Sequence, residues 1–174
     1  LFFELESILK AYEKILLNRN KLLKSWPLDY QSLHVFTELL IKEGAALIHG
    51  RLKTLLAMKD IFQEKIHAIL GPHCSAGMSY QMRDRDLVQY TAADIMTLLA
   101  NNAQEMATLE HRRKITLFGP HLDDVMFLLN GHDARKTASR GQSRALVLSF
   151  KLAHMIAAER IRGIAPLIIL DDIV

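Results

Sequence analysis

The chain has 174 residues, of which 50% are hydrophobic, and its 22 Lys and Arg face 19 Asp and Glu for a formal net charge of +3. Such a composition is typical of a folded protein with enough apolar surface for one good core, and it excludes a disordered chain. No window reaches the ~18 apolar residues of a membrane span and no secretory leader is visible, so we expect a cytoplasmic protein without a membrane partner. The single cysteine, Cys74, has no second thiol for a disulfide or a zinc site.

The first predicted element is a helix that ends at about Lys24. Steps of three, four and seven residues separate its apolar positions, as along the buried seam of a helix: Leu5, Leu9, Tyr12, Leu16 and Leu23. The segment "SWPLD" (Ser25 to Asp29) interrupts the pattern. Pro27 disfavours helical geometry at the residue before it, and Asp29 can cap the helix that follows.

Two more helices are predicted before residue 114. The second carries an inward apolar stripe and ends at "GPHCSAGMS" (Gly71 to Ser79); the stripe comprises Leu33, Phe36, Leu40, Leu47, Leu55, Met58, Phe62 and Ile66. Gly44 and Gly50 inside it each cost ~1 kcal/mol against alanine, so we interpret them as points of close helix approach or bending. The third helix is predicted from about Thr91 to Arg113, with a buried stripe of Ile95, Leu98, Leu99, Met106 and Leu109.

In residues 114–174 the apolar residues no longer follow helical spacing and instead form short runs bounded by turn residues. "ITLFG" (Ile115 to Gly119) and "DVMFLLNG" (Asp124 to Gly131) predict strands, and "SRALVLSFKLAHMIAAERI" (Ser143 to Ile161) predicts a helix. "PLIILDDIV" (Pro166 to Val174) is apolar without alternation, which is typical of a strand buried on both faces of a sheet flanked by helices. The pattern predicts an α/β unit.

Two adjacent carboxylates, Asp171 and Asp172, follow the apolar part of this last strand. Ligands of α/β sheets bind outside the carboxyl ends of the strands, so these side chains are expected to face a site. An apolar strand followed by two acids has the form of a Walker B element, in which the first acid holds Mg²⁺ and the second polarises the attacking water. The alternative is a strand that simply ends in polar residues, and the short motif alone leaves both open.

A candidate anion site precedes the predicted helix in "ASRGQSRALVLSFKLA" (Ala138 to Ala153). Ser139, Gly141 and Gln142 place a hydroxyl and an unhindered backbone at a helix N-terminus, where N–H groups and the helix dipole favour phosphate. Two basic side chains, Arg140 and Arg144, add charge. The alternative is a polar loop with a serine N-cap, which is common.

These segments, taken in order, resemble the RecF family of bacterial recombination mediators, ATPases of the ABC/SMC type. The resemblance covers Leu117 to Val174, where a GPH-x-DD element, an S-x-G-Q signature and an ILLDD-type strand follow one another in "FGPHLDDVMFLLNGHDARKTASRGQSRALVLSFKLA" and "PLIILDDIV". "YEKILLNRNKLLK" (Tyr12 to Lys24) also resembles the stretch that leads into the family's helical arm. The resemblance implies the carboxyl-terminal portion of an α/β P-loop (ABC/SMC-like) ATPase head with a mostly α-helical arm.

The resemblance also implies roles for single residues. Ser139, Gly141 and Gln142 would form the ABC-type signature that contacts the γ-phosphate of ATP bound to the partner subunit. Asp171 would hold Mg²⁺ through water, and Asp172 would be the catalytic base. In the GPH-x-DD element this chain has Leu122 where the family usually has arginine, which removes a cation that could contact phosphate or DNA, and His121 is interpreted as a hydrogen-bonded structural residue without a catalytic role.

The expected organisation is a helical arm over 1–113 and a partial ATPase head over 114–174. No G-x-x-x-x-G-K-[ST] loop occurs in the chain, and the family carries that phosphate-binding loop nearer its amino terminus. Because the chain lacks an initial methionine and stops within a predicted strand, we expect a piece of a larger protein. The piece alone is expected to be inactive as an ATPase, since phosphoryl transfer depends on the phosphate-binding loop.

For the larger protein, the resemblance implies ATP-dependent homodimerisation on double-stranded and gapped DNA. With RecO and RecR, such a dimer helps to load RecA during recombinational repair and replication restart. One alternative is a helical scaffold or dimerisation module without chemistry, and another is a different SMC-like ATPase, although those have longer coiled coils and lack the GPH-x-DD element. A Gly-rich G-K-[ST] loop upstream of Leu1 would favour the ATPase.

Overall fold

The computed structural model describes residues 2–83 and 85–163, with side chains described for 5–83, 85–160 and 163. The strand predicted over Pro166 to Val174 therefore lies outside the described residues. Five helices and four strands are described, in the order α1 Phe2–Lys24, α2 Tyr30–Leu70, β1 Ala76–Met82, β2 Arg85–Asp86, α3 Ala92–Arg113, β3 Asp124–Leu129, β4 His132–Asp133, α4 Ala134–Thr137 and α5 Arg140–Arg162. Among these helices, none combines the length and the apolar character needed to cross a membrane.

The four long helices confirm the predictions made from apolar spacing, and Asp29 caps α2 as predicted. The Asp29 carboxylate accepts the Ser32 N–H (3.0 Å) at the start of α2. Thr91 caps α3, where its hydroxyl accepts the Asp94 N–H (3.2 Å) while the Asp94 carboxylate accepts the Thr91 N–H (2.9 Å). Side-chain capping therefore satisfies donors that each helix leaves without an intrahelical acceptor.

The strand predicted over Ile115 to Gly119 is wrong, because this segment has no strand pairing. Its backbone donors bond to side chains instead: the Thr116 N–H donates to Asn20 Oδ1 (2.8 Å), and the Leu117 N–H donates to Glu110 Oε1 (2.6 Å). Polar side chains from two helices thus take the place of a neighbouring strand.

The hairpin of β1 and β2 was not predicted, and it interrupts the helical region between α2 and α3. The described strands form one sheet in the order β2-β1-β3-β4. The β1–β2 pair is antiparallel with Gln81 opposite Asp86, and the β3–β4 pair is antiparallel with Leu128 opposite Asp133. The β3–β4 turn has the Asn-Gly sequence and the positive φ values (51° and 80°) of a tight hairpin.

The chain divides into two compact units. Unit 1 is Leu1–Lys53 with Tyr80–Val125, and unit 2 is Thr54–Ser79 with Met126–Val174, so that α2, β1 and β3 contribute to both. The boundary predicted between an arm over 1–113 and a head over 114–174 stays a prediction.

Unit 1 is a largely helical unit with a core drawn from α1, α2, α3 and the β1–β2 hairpin region. Its largest buried side chains include Tyr12, Leu23, Leu40, Leu47, Ile48, Tyr80, Leu87, Ile95 and Leu99. Gly44 confirms the predicted close approach of helices, since a Cβ there would lie 3.4 Å from both Leu99 Cδ1 of α3 and Tyr12 Cε2 of α1.

Unit 2 packs the end of α2 against α5 and the inner face of β3. Its buried cluster comprises Met58, Ile61, Phe62, Ile66, Leu129, Ala134, Leu146, Ala153 and Ala157. Phe127 joins it with an edge-on contact to Phe150 (ring centroids 5.3 Å apart). The start of β1 is held by the Gln63 side chain, which accepts the Ala76 N–H (2.7 Å) and donates to the Cys74 carbonyl (3.0 Å).

Candidate functional site

The candidate signature segment lies at the N-terminus of α5, in unit 2. Ser139 is the N-cap, with extended backbone angles (φ −65°, ψ 165°). Its hydroxyl accepts the Gln142 N–H (3.2 Å), and its own N–H donates to Gln142 Oε1 (2.8 Å). The serine and glutamine of the S-x-G-Q sequence therefore close a capping box that fixes the helix start, a structural role that exists without any ligand.

The same segment is open on its outer side. Ser139 and Gly141 are exposed, and a Cβ at Gly141 would meet only Ser139 Oγ, at 4.0 Å. Nothing in the described structure therefore requires glycine at this position, where it costs ~1 kcal/mol against alanine in a helix. The first N–H groups of a helix have no intrahelical acceptor, and they point outward together with the positive end of the dipole.

These features fit a phosphate group. The Ser139 oxygen accepts one N–H, which leaves its own proton able to donate to an anion. Arg140 and Arg144 are both exposed beside the segment. The structure thus brings the three predicted signature residues together at one helix end, whereas Asp171 and Asp172 lie outside the described residues. Within residues 2–83 and 85–163, no group of three His, Cys, Asp or Glu side chains is placed to hold a metal ion.

The GPH-x-DD element belongs to unit 1, where it has close packing contacts. Gly119 has φ 111°, a value that favours glycine, and a Cβ there would lie 2.5 Å from the Tyr12 hydroxyl. The Tyr12 hydroxyl also hydrogen-bonds His121 Nδ1 (2.6 Å), which is the kind of contact predicted for a structural histidine. Leu122 is 54% exposed beside it, so the position where the family usually has arginine presents an apolar side chain to solvent.

Sequence reasoning did not identify the polar network around Asp123. Tyr80 donates its hydroxyl proton to Asp123 Oδ2 (3.0 Å), and Arg51 Nη1 donates to the Tyr80 hydroxyl (3.1 Å) and to the Pro120 carbonyl (2.8 Å). Burial raises the pKa of Asp123 to about 6, against the opposing effects of the Tyr80 hydrogen bond and the Arg51 charge. Burial also raises the pKa of Tyr80, so its hydroxyl keeps the proton that it donates.

The raised pKa of Asp123 makes the stability of the protein depend on pH. The folded-state pKa is about 6, above the usual 3.8, so its contribution is complete below about pH 4 and is lost as the pH rises through about 6. Asp123→Asn removes this titration but keeps an oxygen for the Tyr80 hydroxyl. We expect the free energy of unfolding of the parent chain, minus that of the variant, to fall by an amount on the order of 2 kcal/mol between pH 4 and pH 7.

Denaturant unfolding of both chains across this range measures that difference. Other titrating groups cancel because both chains carry them, including His121, whose pKa is lowered mainly by partial burial. A difference that is constant with pH would show that Asp123 titrates normally.

A second network that sequence reasoning missed is buried in unit 1 around Arg19. Its guanidinium pairs with Glu110 (Nη2 to Oε2, 2.7 Å), donates to Thr116 Oγ1 (2.8 Å) and Thr37 Oγ1 (3.0 Å), and lies 5.0 Å above the Phe118 ring. The available signal was its position, because Arg19 follows Tyr12 by seven residues and therefore lies on the buried seam. A charge at a seam position requires a buried partner.

Curated relatives of this chain are named DNA replication and repair protein RecF. The protein from Geotalea daltonii is 35% identical over 167 residues, which are 96% of this chain and 45% of the relative. The one from Symbiobacterium thermophilum is 34% identical over 95% of this chain and 44% of the relative, and that from Bacillus velezensis is 33% identical over 95% and 46%. The chain therefore spans somewhat under half the length of these relatives, and no protein-family model matches it.

Solved structures of RecF proteins have a fold similar to that of this chain. The chain superposes on a structure of the recombination mediator protein RecF-ATP in the RecFOR pathway with a TM-score of 0.84 and 28% identity, over 98% of this chain and 46% of that one. A second structure, of RecF-ATPrS, also gives a TM-score of 0.84 over 94% of this chain. This likeness confirms the predicted fold class, a portion of an ABC-type ATPase with a largely helical remainder.

Proposed function

Because the chain belongs to the RecF family, we propose that it supplies the signature side of an ATP site that is completed between two copies of a DNA-binding ATPase. The observation that carries this proposal is the open helix end at Ser139, Gly141 and Gln142, which a capping box holds in place. A relative with the same fold has been solved with ATP, which supports a nucleotide as the anion. The chain spans about 45% of its relatives, so the proposal concerns a full-length protein that contains it.

In this proposal the two halves of the site do different work. The Ser139 hydroxyl and the first N–H groups of α5 would hold the γ-phosphate of ATP bound to the partner subunit, in a geometry set before the ligand arrives. Asp171 would hold Mg²⁺ through water, and Asp172 would accept a proton from the attacking water. Magnesium supplies charge neutralisation on the phosphates. A subunit could then close on its partner only when ATP is bound, so nucleotide binding and dimerisation are one event.

The proposed partners follow from the family. Closure of the dimer would hold double-stranded DNA beside a gap, and the pathway named for the solved relative includes RecO and RecR, with RecA loading as its proposed outcome. A protein that acts on DNA in this way would be located in the bacterial cytoplasm. The residues of unit 1 up to Arg113 would belong to the proposed helical arm over 1–113.

Ser139→Arg in the full-length protein should leave ATP binding by each monomer intact and prevent ATP-dependent dimerisation. The long cation would occupy the open space beside Gly141 that the partner's γ-phosphate needs. Light scattering with and without ATP measures the dimer, and equilibrium dialysis with labelled ATP measures binding.

A matched pair of variants separates the loss of the Ser139 N-cap from the blocking of the phosphate position. Ser139→Asp and Ser139→Asn both keep an N-cap acceptor of similar size, but only the first places a carboxylate against the phosphate. The aspartate variant should lose the ATP-dependent dimer, and the asparagine variant should retain more of it. Dimers of undiminished stability in both Ser139→Arg and Ser139→Asp would remove this helix end from the interface.

A further inference from the structure

One end of unit 1 carries exposed aromatic and basic side chains together. α1 ends at Lys24, α2 begins at Tyr30 and α3 ends at Arg113. The Tyr30 ring stacks on the His111 ring (centroids 5.8 Å apart, planes at 29°), which places the first turn of α2 beside the last turn of α3. The Asn20 side chain accepts the N–H of Thr116, which joins the end of α1 to the residues that follow α3. Three helix ends therefore lie side by side.

The aromatic side chains at this end face solvent. Trp26 is 91% exposed in the loop between α1 and α2, and Tyr30 is 68% exposed at the start of α2. Exposed large apolar side chains are common singly, but a nearly bare tryptophan next to an exposed tyrosine is the composition found at binding surfaces.

The charges around these rings are mostly positive, with the exposed Asp29 as the acid between them. We define the tip surface as the two rings with the five exposed basic residues at the same helix ends: Trp26, Tyr30, Lys21, Lys24, Arg112, Arg113 and Lys114. Among the described residues, none of these five cations has a carboxylate partner. Of the nearby acids, Asp29 caps α2 and Glu110 is buried against Arg19. The tip surface thus has more positive charge than the net +3 of the whole chain.

We propose that the tip surface binds single-stranded nucleic acid, with a base stacked on Trp26 and the flanking phosphates held by the lysines and arginines. Rings that offer a free face, set among cations that offer no base-specific hydrogen bonds, are how proteins hold unpaired strands without reading sequence. A duplex keeps its bases stacked on one another, so it would use only the cations. The choice of nucleic acid rather than an acidic protein as the ligand rests on the proposed function. The tip surface would add a DNA contact that is remote in sequence from the signature segment.

The sole tryptophan of the chain makes the stacking directly measurable. Titration of the 174-residue chain with an oligothymidylate should quench its fluorescence in a saturable way. Inorganic polyphosphate, which has the charge but no bases, should compete for the surface and give little quenching. A duplex of the same length should quench less than the single strand.

Variants then assign the binding to the tip surface. Trp26→Ala should weaken the binding of a fluorescein-labelled oligothymidylate, followed by anisotropy, by about five- to 150-fold. Lys24→Ala should lower the slope of log K against log salt by about 0.7, the value for one phosphate contact on a single strand. Lys42→Ala is the matched control, because Lys42 is an exposed lysine three turns into α2, and it should change neither quantity.

The outcomes separate this inference from the proposed function. Unquenched tryptophan fluorescence, equal quenching by polyphosphate, or unchanged affinity in Trp26→Ala would overturn it. In the full-length protein Trp26→Ala should still form ATP-dependent dimers, and Ser139→Arg should still bind the single strand. Loss of dimers in Ser139→Arg together with unaltered single-strand binding in Trp26→Ala would reject the tip surface and leave the ATP site standing.

Discussion

Replacing Glu110 with glutamine should lower the free energy of unfolding by about 3–5 kcal/mol, the usual effect of removing one partner from a buried ion pair. The Glu110 and Arg19 side chains are only 1% and 4% exposed, so the guanidinium would keep its charge with no water to solvate it. Glu110 Oε1 also accepts the Leu117 N–H (2.6 Å), and a glutamine cannot serve both donors with carboxylate oxygens. Denaturant unfolding of the chain measures the loss.

The chain contains its own control for this substitution. Glu6 pairs with Lys10 (2.8 Å) on the exposed face of α1, and Glu6→Gln should leave the free energy of unfolding nearly unchanged because water solvates both groups. The double variant Arg19→Met with Glu110→Leu removes both buried charges at once, and it should recover much of the stability lost in Glu110→Gln. Equal effects of Glu6→Gln and Glu110→Gln would show that the Arg19 network contributes no more than a surface pair.

Asp172→Asn in the full-length protein should reduce ATP hydrolysis by about 10²- to 10⁴-fold, the contribution expected of a general base, while ATP binding persists. Asp172 lies outside the described residues, and its role comes from the resemblance to the family. The asparagine has nearly the same shape, and Asp171 remains as the proposed Mg²⁺-linked acid. Steady-state phosphate release measures hydrolysis, and the ATP-bound dimer should accumulate because it forms but does not turn over.

Asp60→Asn makes the same chemical change at an exposed position of α2 and should leave hydrolysis unaltered. Turnover by Asp172→Asn at the rate of the parent would remove Asp172 from the catalytic role. Failure to bind ATP would instead assign it to the metal site, in exchange with Asp171.

Local patterns in the sequence predicted the helices and one part of the site. The apolar stripe of α2 and the break at Pro27 depend on residues a few positions apart, so their spacing alone determines them. The start of α5 is equally local, because Ser139 and Gln142 form a capping box from side chains three residues apart.

The features that were missed depend on residues far apart in the chain. The β1–β2 hairpin has no clear alternation, and its first strand is held in a sheet by β3, more than 40 residues later. Ile115 to Gly119 has the composition of a strand, but Asn20 and Glu110 take its backbone donors. The raised pKa of Asp123 depends on burial created by the fold. Sequence patterns report on residues that are close along the chain, whereas these properties depend on residues that are close only in the folded structure.

The buried pair of Arg19 and Glu110 also constrains how the chain is made. Its members are 91 residues apart, so at about 5–20 residues per second Arg19 is synthesised roughly 5 to 18 seconds before Glu110. During that interval α1 cannot bury its seam around an unpaired charge, and the first long helices must wait for α3. Unit 1 is therefore completed only after α3 has been made, although α1 and α2 precede it in the chain.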